Sequence, residues 1–471
     1  MKLRQGKGMG GELRKLLLML LGAGAAAAVC ALAGDGLTGD GRLCLGFTVA
    51  AVAFWIFGVA EPSFVAGLYL IMLVVFRVGS PAEVFGAWTD GVVWLVIGSF
   101  IIAEAVVRSG ICERLSYVFI LKFVDSFRSL IISVFVLSTF LTLLIPNPWP
   151  RAFILVEVVK EAAEAARLSR RDAVAAGYSV FAASIPTCFI FQTGAASMNS
   201  LVLGFSGISL SWLEWLKVMG LPGIVLTAVY CLVILLVFRS KEPFELDREA
   251  IAERLRAMGP LSLREKKTAI WLSAAILIWL TDGIHGINVA WTTMGIAMLM
   301  SVPVVGGLTD KDSWKAVPVD TVVYLTAAVA IGKVGSASGM TGWITSNILP
   351  PSSSLPGNIW LLAAEVALFS MLLHVCLGST IAANSVIIPA MLLCTAGTGL
   401  TALSCTMICY TAIFGQYVFS YQHINILMGI GCGMYDERDS LKMALPLTAA
   451  VLLVLLLVDL PWWSALGILG G

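Results

Sequence analysis

The chain has 471 residues, of which 59% are hydrophobic and 13% charged, with a mean hydropathy of +0.94. A soluble fold of this length needs more charge to cover its surface, so the composition excludes one and points to helices facing lipid. The formal net charge of +1 gives no electrostatic case for a nucleic-acid partner.

A bilayer core of about 30 Å takes about 20 apolar residues of helix. That ruler predicts spans over 16–33, 43–60, 63–79, 91–108, 172–208, 218–238, 269–281, 287–304, 320–337, 402–430 and 443–460. Residues 1–33 have the basic start and the Ala31-Leu-Ala33 of a secretory leader. Their apolar core is long for one, so they read as a retained helix. Two stretches, 129–166 and 358–398, are too long for one span. The first breaks at Ile145-Pro-Asn-Pro-Trp-Pro-Arg151 and the second at Leu377-Gly-Ser-Thr380. Each reads as a re-entrant hairpin.

Basic residues set the orientation. With both hairpins re-entrant and the N-terminus (Lys2, Arg4, Lys7, Arg14, Lys15) cytoplasmic, all but five of the 30 Lys and Arg fall inside. The five are Arg42, Arg77, Arg151, Lys217 and Lys333. The C-terminus is then outside, and the expected location is the cell membrane.

The expected fold is an all-α polytopic membrane protein of about 11 spans plus two re-entrant hairpins. Residues 1–42 hold the N-terminal segment and first helix. Residues 239–268 alternate acids with arginines and read as an amphipathic cytoplasmic connector. The flanking halves, 43–238 and 269–471, follow one order: two spans, a third ending in a glycine turn, a broken hairpin, a span with an irregular middle, a last span. Arg108-Ser-Gly110 and Ala337-Ser-Gly339 mark the two glycine turns. The halves enter the membrane oppositely, which is an inverted repeat.

Enzyme chemistry has little to stand on. The ten cysteines lie mostly in apolar runs, such as Cys188, Cys231, Cys394 and Cys405, with no CxxC pair. The three histidines are scattered, and no HExxH, phosphate-binding lysine loop, GxSxG or carboxylate pair occurs. No cofactor is expected.

Non-helical backbone survives at membrane depth only where protein buries it or a polar cavity solvates it. Four such places stand out: the two hairpin tips, Phe191-Gln-Thr-Gly-Ala-Ala-Ser-Met-Asn199, and Tyr421-Gln-His-Ile-Asn425. Helix N-termini hold anions, whereas helix C-termini and unwound carbonyls hold cations. Converging breaks therefore predict an anion site flanked by cation sites. Arg151, just past the first tip, is the sharpest single residue. A guanidinium in the membrane is usually interior and functional, and its fork suits a carboxylate or sulfate. The structural alternatives are snorkelling or pairing with an acid such as Glu157. Glu104 offers a structural pair to Arg108 one turn on. Glu365, His374 and His423 read as structural, Gly194 and Gly378 as packing glycines, and Trp462 and Trp463 as an interfacial belt.

These residues resemble the divalent anion/sodium symporter family of the wider ion-transporter superfamily, nearly end to end. Pro146-Asn147-Pro148 sits where that family carries Ser-Asn-Thr in its inward hairpin, and Ser379-Thr380-Ile381 sits at the outward one. Thr193-Gly194 to Asn199 and Tyr421-Gln422 to Asn425 are similar to its two helix breaks. Tyr435 to Pro446 resembles its approach to the last span, and Trp279-Leu-Thr-Asp282 with His285 and Gly286 is similar too. Of the family's tip side chains, only Asn147 remains at the first and Ser379 at the second, where Thr380 and Ile381 replace Asn and Thr.

The resemblance implies a homodimer moving di- or tricarboxylates or sulfate by an elevator motion, usually driven by sodium, with exchange in some relatives. It implies substrate contacts at Asn147, Thr193, Ser379, Thr380 and Gln422, to which the residue reading adds Arg151 as compensation at the first tip. It implies cation contacts at Pro146, Asn147, Gly194, Asn199, Ser379, Asn384 and Asn425, with sodium as coupling ion and no other metal. A sodium/proton antiporter or arsenite-type permease of the same superfamily, and a non-transporting membrane subunit, are the alternatives.

Overall fold

The computed structural model describes residues 9–33, 36–57, 59–240, 242–347, 356–377 and 380–470. Lys2, Arg4, Lys7, Gly378 and Ser379 lie outside the described residues. The described chain is helical, with no strand among the described residues. Among the described residues, seven helices are long and apolar enough to cross a membrane: Val92–Ser109, Phe127–Leu144, Arg170–Ile190, Trp212–Val237, Val319–Ala337, Ile359–Leu377 and Glu437–Ala465. Shorter apolar helices cover Leu16–Ala31, Pro62–Val75, Val289–Ser301, Thr380–Cys394 and Ala402–Phe414.

Helix ends follow local chemistry. Ser126, Ser211 and Ser262 accept from the N–H three residues on, and Ser129, Glu214 and Glu265 answer them. Each box satisfies two N–H groups that the first turn leaves free. The glycine turns are left-handed at both places: Gly110 has φ 78° after Val92–Ser109, and Gly339 has φ 80° after Val319–Ala337. Only glycine enters that region without strain.

The packing of the halves is reciprocal. Val92–Ser109 lies on Val289–Ser301, and Val319–Ala337 lies on Pro62–Val75. Gly98 permits the first contact, because a Cβ there would stand 2.9 Å from the Met294 Cα. The hairpin arms Phe127–Leu144 and Pro148–Ala165 pack on Arg170–Ala183. Likewise Ile359–Leu377 and Thr380–Cys394 pack on Ala402–Phe414.

The expected connector contains the helix Arg248–Ala257, capped by Asp247, with Ile251 turned into the protein. It ties several elements together. Arg248 Nη2 donates to the Val124 carbonyl (2.9 Å), and Arg254 pairs with Glu161 on the first hairpin (3.5 Å). Arg114 Nη1 donates to the Gly259 carbonyl (2.9 Å), while its Nε meets Glu265 (2.5 Å). The Glu104–Arg108 pair is present at 2.5 Å, and Arg108 also reaches Asp310 at 2.9 Å.

Trp463 differs from the expected belt. It is fully buried and donates Nε1 to the Val218 carbonyl (2.9 Å), because the last helix turns its indole onto Trp212–Val237. Trp462 is half-buried and donates to the Lys217 carbonyl (2.8 Å).

Candidate functional site

The first hairpin turns in three residues. The arm ends at Leu144 and the next helix starts at Pro148, so the break is shorter than the sequence suggests. Pro148 and Pro150 fall in the first turn, where the missing N–H groups have no helical partner to lose. Asn147 is the N-cap, its side chain accepting from the Trp149 N–H (3.0 Å). Pro146 offers its carbonyl to the Ala196 N–H (3.2 Å), which joins this tip to the irregular helix beyond.

That helix runs Arg170–Ala183, Thr187–Ile190, a tight turn Gln192–Ala195, then Ala196–Ser206. Its counterpart runs Ala402–Phe414, a turn Ser420–Gln422, then Ile424–Gly431. Both turns are entered from a phenylalanine in the same extended conformation: Phe191 at φ −117°, ψ 144° and Phe419 at φ −116°, ψ 142°.

Asn199 closes the first interruption. Its Nδ2 donates to the carbonyls of Cys188 (3.1 Å), Phe191 (3.1 Å) and Gln192 (3.0 Å). Gln422 closes the second. Its Oε1 accepts from the N–H groups of Val418 (2.8 Å) and Phe419 (2.7 Å), and its Nε2 donates to the His374 carbonyl (3.1 Å). Thr380, at the start of the second hairpin's return arm, donates to the Gln422 carbonyl (2.8 Å). The tip of each hairpin is thus bonded to the break beside it.

The two interrupted helices are also joined to each other. Tyr410 donates to Asn199 Oδ1 (2.6 Å), and Asn425 Nδ2 donates to Ser184 Oγ (2.8 Å). The asparagine after each break therefore holds the other helix before its break. Helix Ala196–Ser206 also packs on the second hairpin's return arm, Thr380–Cys394. Pro146, Asn147, Arg151, Thr193, Gly194 and Asn199 gather at one side of this crossing. Thr380, Asn384, Gln422 and Asn425 gather at the other. Ser379 lies outside the described residues.

Arg151 is fully buried. Its Nη1 donates to the carbonyls of Ile145 (3.0 Å) and Gly194 (2.7 Å), its Nη2 to Cys188 Sγ (3.4 Å), and its Nε has no partner among the described residues. None of these partners is a carboxylate. Gly194 leaves no space here, since a Cβ would meet Thr142 Cγ2 at 2.8 Å. Thr193 accepts from Trp212 Nε1 (3.3 Å).

Across the crossing, Asn384 Nδ2 donates to the Thr380 carbonyl (2.8 Å) while its Oδ1 is buried without a partner among the described residues. His374 Nδ1 accepts from Gln416 Nε2 (3.1 Å), its Nε2 is unpartnered, and so are both ring nitrogens of buried His423. Free acceptors and imidazoles thus stand on this side and a guanidinium on the other.

Tyr410, Ser184 and Gln416 were not among the expected site residues. The signal available was a polar side chain inside an apolar span. Asp459 was missed for the same reason: both its carboxylate oxygens are buried and unpartnered, at a π-turn in the last helix.

Two clefts flank helix Ala196–Ser206. One, of about 230 Å³, meets Ser197, Met198 and Leu201 and carries the acids Glu61 and Asp320. The other, of about 350 Å³, meets Ser200, Leu203 and Gly204 and carries Lys333 and Asp90.

The family model described as "Sodium:sulfate symporter transmembrane region" matches residues 14–469. The chain is 23% identical to a membrane protein of Cupriavidus necator over 79% of this chain and 74% of that one. It is 26% identical to dicarboxylate transporter 1, chloroplastic, of Spinacia oleracea, over 56% of this chain and 48% of that one. It is 25% identical to the putative malate transporter YflS of Bacillus subtilis, over 58% of each. The matches thus span about half the length of the spinach and Bacillus relatives. Among solved structures, the YdaH transporter of Alcanivorax borkumensis is similar in fold, with a TM-score of 0.57, 13% identity, and coverage of 98% of this chain and 99% of that one.

Proposed function

Because the chain belongs to the sodium:sulfate symporter transmembrane family, a family of multi-pass membrane transporters and not enzymes, we propose that it is a secondary active transporter of small divalent anions, di- or tricarboxylates or sulfate. The observation that carries this reading is Arg151. A buried cation with no carboxylate partner is costly unless an anion visits it. It stands beside a tip whose next helix starts at Pro148, and helix N-termini favour the same charge.

In this reading the anion is held at the crossing, between Asn147 and Thr193 on one side and Thr380 and Gln422 on the other, and Ser379 is a further ligand by resemblance to the family's motif. Arg151 supplies positive charge from behind the first tip. Sodium is co-transported, with Asn384 Oδ1 and the break at Asn425 as its second-tip ligands and Pro146, Gly194 and Asn199 at the first. The halves form an inverted repeat, supported by the reciprocal packing and paired breaks, and the hairpins with the interrupted helices travel as one elevator body in a homodimer of the cell membrane, N-terminus cytoplasmic and C-terminus outside.

The test is uptake of labelled succinate, citrate and sulfate into proteoliposomes with and without an inward sodium gradient. Accumulation of one anion driven by sodium supports the reading; no accumulation of any anion under either condition overturns it.

One observation favours a second reading, anion exchange. The Arg151 guanidinium occupies the Ile145 and Gly194 carbonyls, where a first-tip cation would bind. A tethered cation there removes the need for one sodium. Uptake that requires an internal anion and ignores sodium would select exchange.

A further inference from the structure

The 350 Å³ cleft lies where helices begin whose other ends touch the connector region. Val92–Ser109 starts beside Asp90 and leads through Gly110 to Arg114, which donates to the Gly259 carbonyl of the connector. Val289–Ser301 starts at Asn288 and leads to Gly306 and Leu308, whose carbonyls accept from Lys267 and Arg264. The cleft therefore opens on the face opposite the connector, and its volume is in the range of small-molecule sites.

Three observations mark it as a built site. Gln192 is buried, its Nε2 donates to the Leu210 carbonyl on the cleft wall (3.3 Å), and its Oε1 has no partner. Ser200 is buried with its hydroxyl unpartnered, on the helix that forms the cleft floor. Buried polar groups left without partners are rare and costly, and two of them line one cavity. The third observation is Lys333, whose ammonium is paired with Asp90 and lies across Gly86, where a Cβ would stand 2.9 Å from Nζ. Among the described residues, Lys333 is the only cation lining the cleft, and the cleft on the other side of the same helix carries Glu61 and Asp320 and no cation.

We propose that this cleft is an anion-binding anteroom, which takes a small carboxylate or sulfate before it reaches the helix crossing. Lys333 is its charged ligand, Ser200 donates its hydroxyl hydrogen, and Gln192 donates the Nε2 hydrogen that the Leu210 carbonyl does not take. The inference rests on the transport reading above. Asp90 competes with the incoming anion for Lys333, so the pair acts as a charge latch that an anion must open.

This assignment makes the two members of one ion pair act in opposite directions. Lys333→Gln raises the KM for external succinate or sulfate, roughly tenfold at low salt, at unchanged Vmax. Asp90→Asn lowers it, and both effects shrink in 0.5 M potassium chloride. In detergent, sulfate at tens of millimolar raises the Tm of the Asp90→Asn protein more than that of Lys333→Gln. This arm needs no transport, so it separates failure of the anteroom from failure of the transport reading. If both substitutions raise KM together, or sulfate protects both variants equally, the pair only clamps two helices and the anteroom is refuted.

Discussion

Tyr410 donates a 2.6 Å hydrogen bond to Asn199 across the crossing of two interrupted helices, and Asn199 spends its amide hydrogens on three carbonyls at the break. One fully buried asparagine thus satisfies backbone that the break exposes and locks it to the other half. A buried group that loses its partner costs about 1–3 kcal/mol.

Tyr410→Phe is therefore expected to lower stability by about 1–3 kcal/mol, and Asn199→Ala by more, since three carbonyls lose their donor. The double variant should cost clearly less than the sum, because the residues share one bond. Thermal unfolding in detergent measures all three.

Arg151 offers a rescue experiment. Arg151→Ser removes the donor from the Ile145 and Gly194 carbonyls and leaves space, at a cost of about 1–3 kcal/mol per orphaned carbonyl. Millimolar guanidinium, or sodium if this is a cation place, should return part of the lost Tm. Arg151→Met, which fills the space without charge, should respond to neither.

The glycine turns test the repeat. Gly110→Ala and Gly339→Ala each force a Cβ into left-handed backbone, at a cost of about 1–2 kcal/mol. No neighbour comes nearer than 3.8 Å to a Cβ at Gly110, and none lies within 4 Å at Gly339. The two losses in thermal stability should therefore be alike.

At the connector, Arg114 holds the Glu265 carboxyl below the usual range, aided by the Ser262 N–H. A carboxyl depressed in the folded state contributes stability above its unfolded pKa, about 4.3. That contribution fades as pH falls through the folded value. Glu265→Gln should thus destabilise the protein at pH 7 and flatten its loss of Tm below pH 5.

Much of this was legible in the sequence because hydropathy, proline and glycine act locally. The predicted span 320–337 falls on Val319–Ala337, and the irregular middles at Gln192 and Gln422 fall on the observed turns. The break at the first tip was overdrawn, because Pro148 and Pro150 suit a helix start as well as a loop. Partners were not legible. Tyr410 meets Asn199 across 211 residues and Asn425 meets Ser184 across 241, so no local pattern pairs them. Composition singles out Gln422, but only the fold reveals that its amide oxygen is taken by Val418 and Phe419 and one Nε2 hydrogen by the His374 carbonyl, leaving the second hydrogen for a ligand. Arg151 stands out in the sequence as a charge out of place; that its partners are carbonyls follows from how the first tip meets the first break.

The most direct test of the central claim is a thermal-shift series on the purified protein with succinate, malate, citrate, sulfate and phosphate, each in sodium and in potassium. Binding to the folded state alone raises stability by about 2.7 kcal/mol at a hundredfold excess over Kd. The account predicts that one or more divalent anions raise Tm, with a larger shift in sodium, and that Arg151→Met loses the response. No shift with any anion in either salt would contradict it.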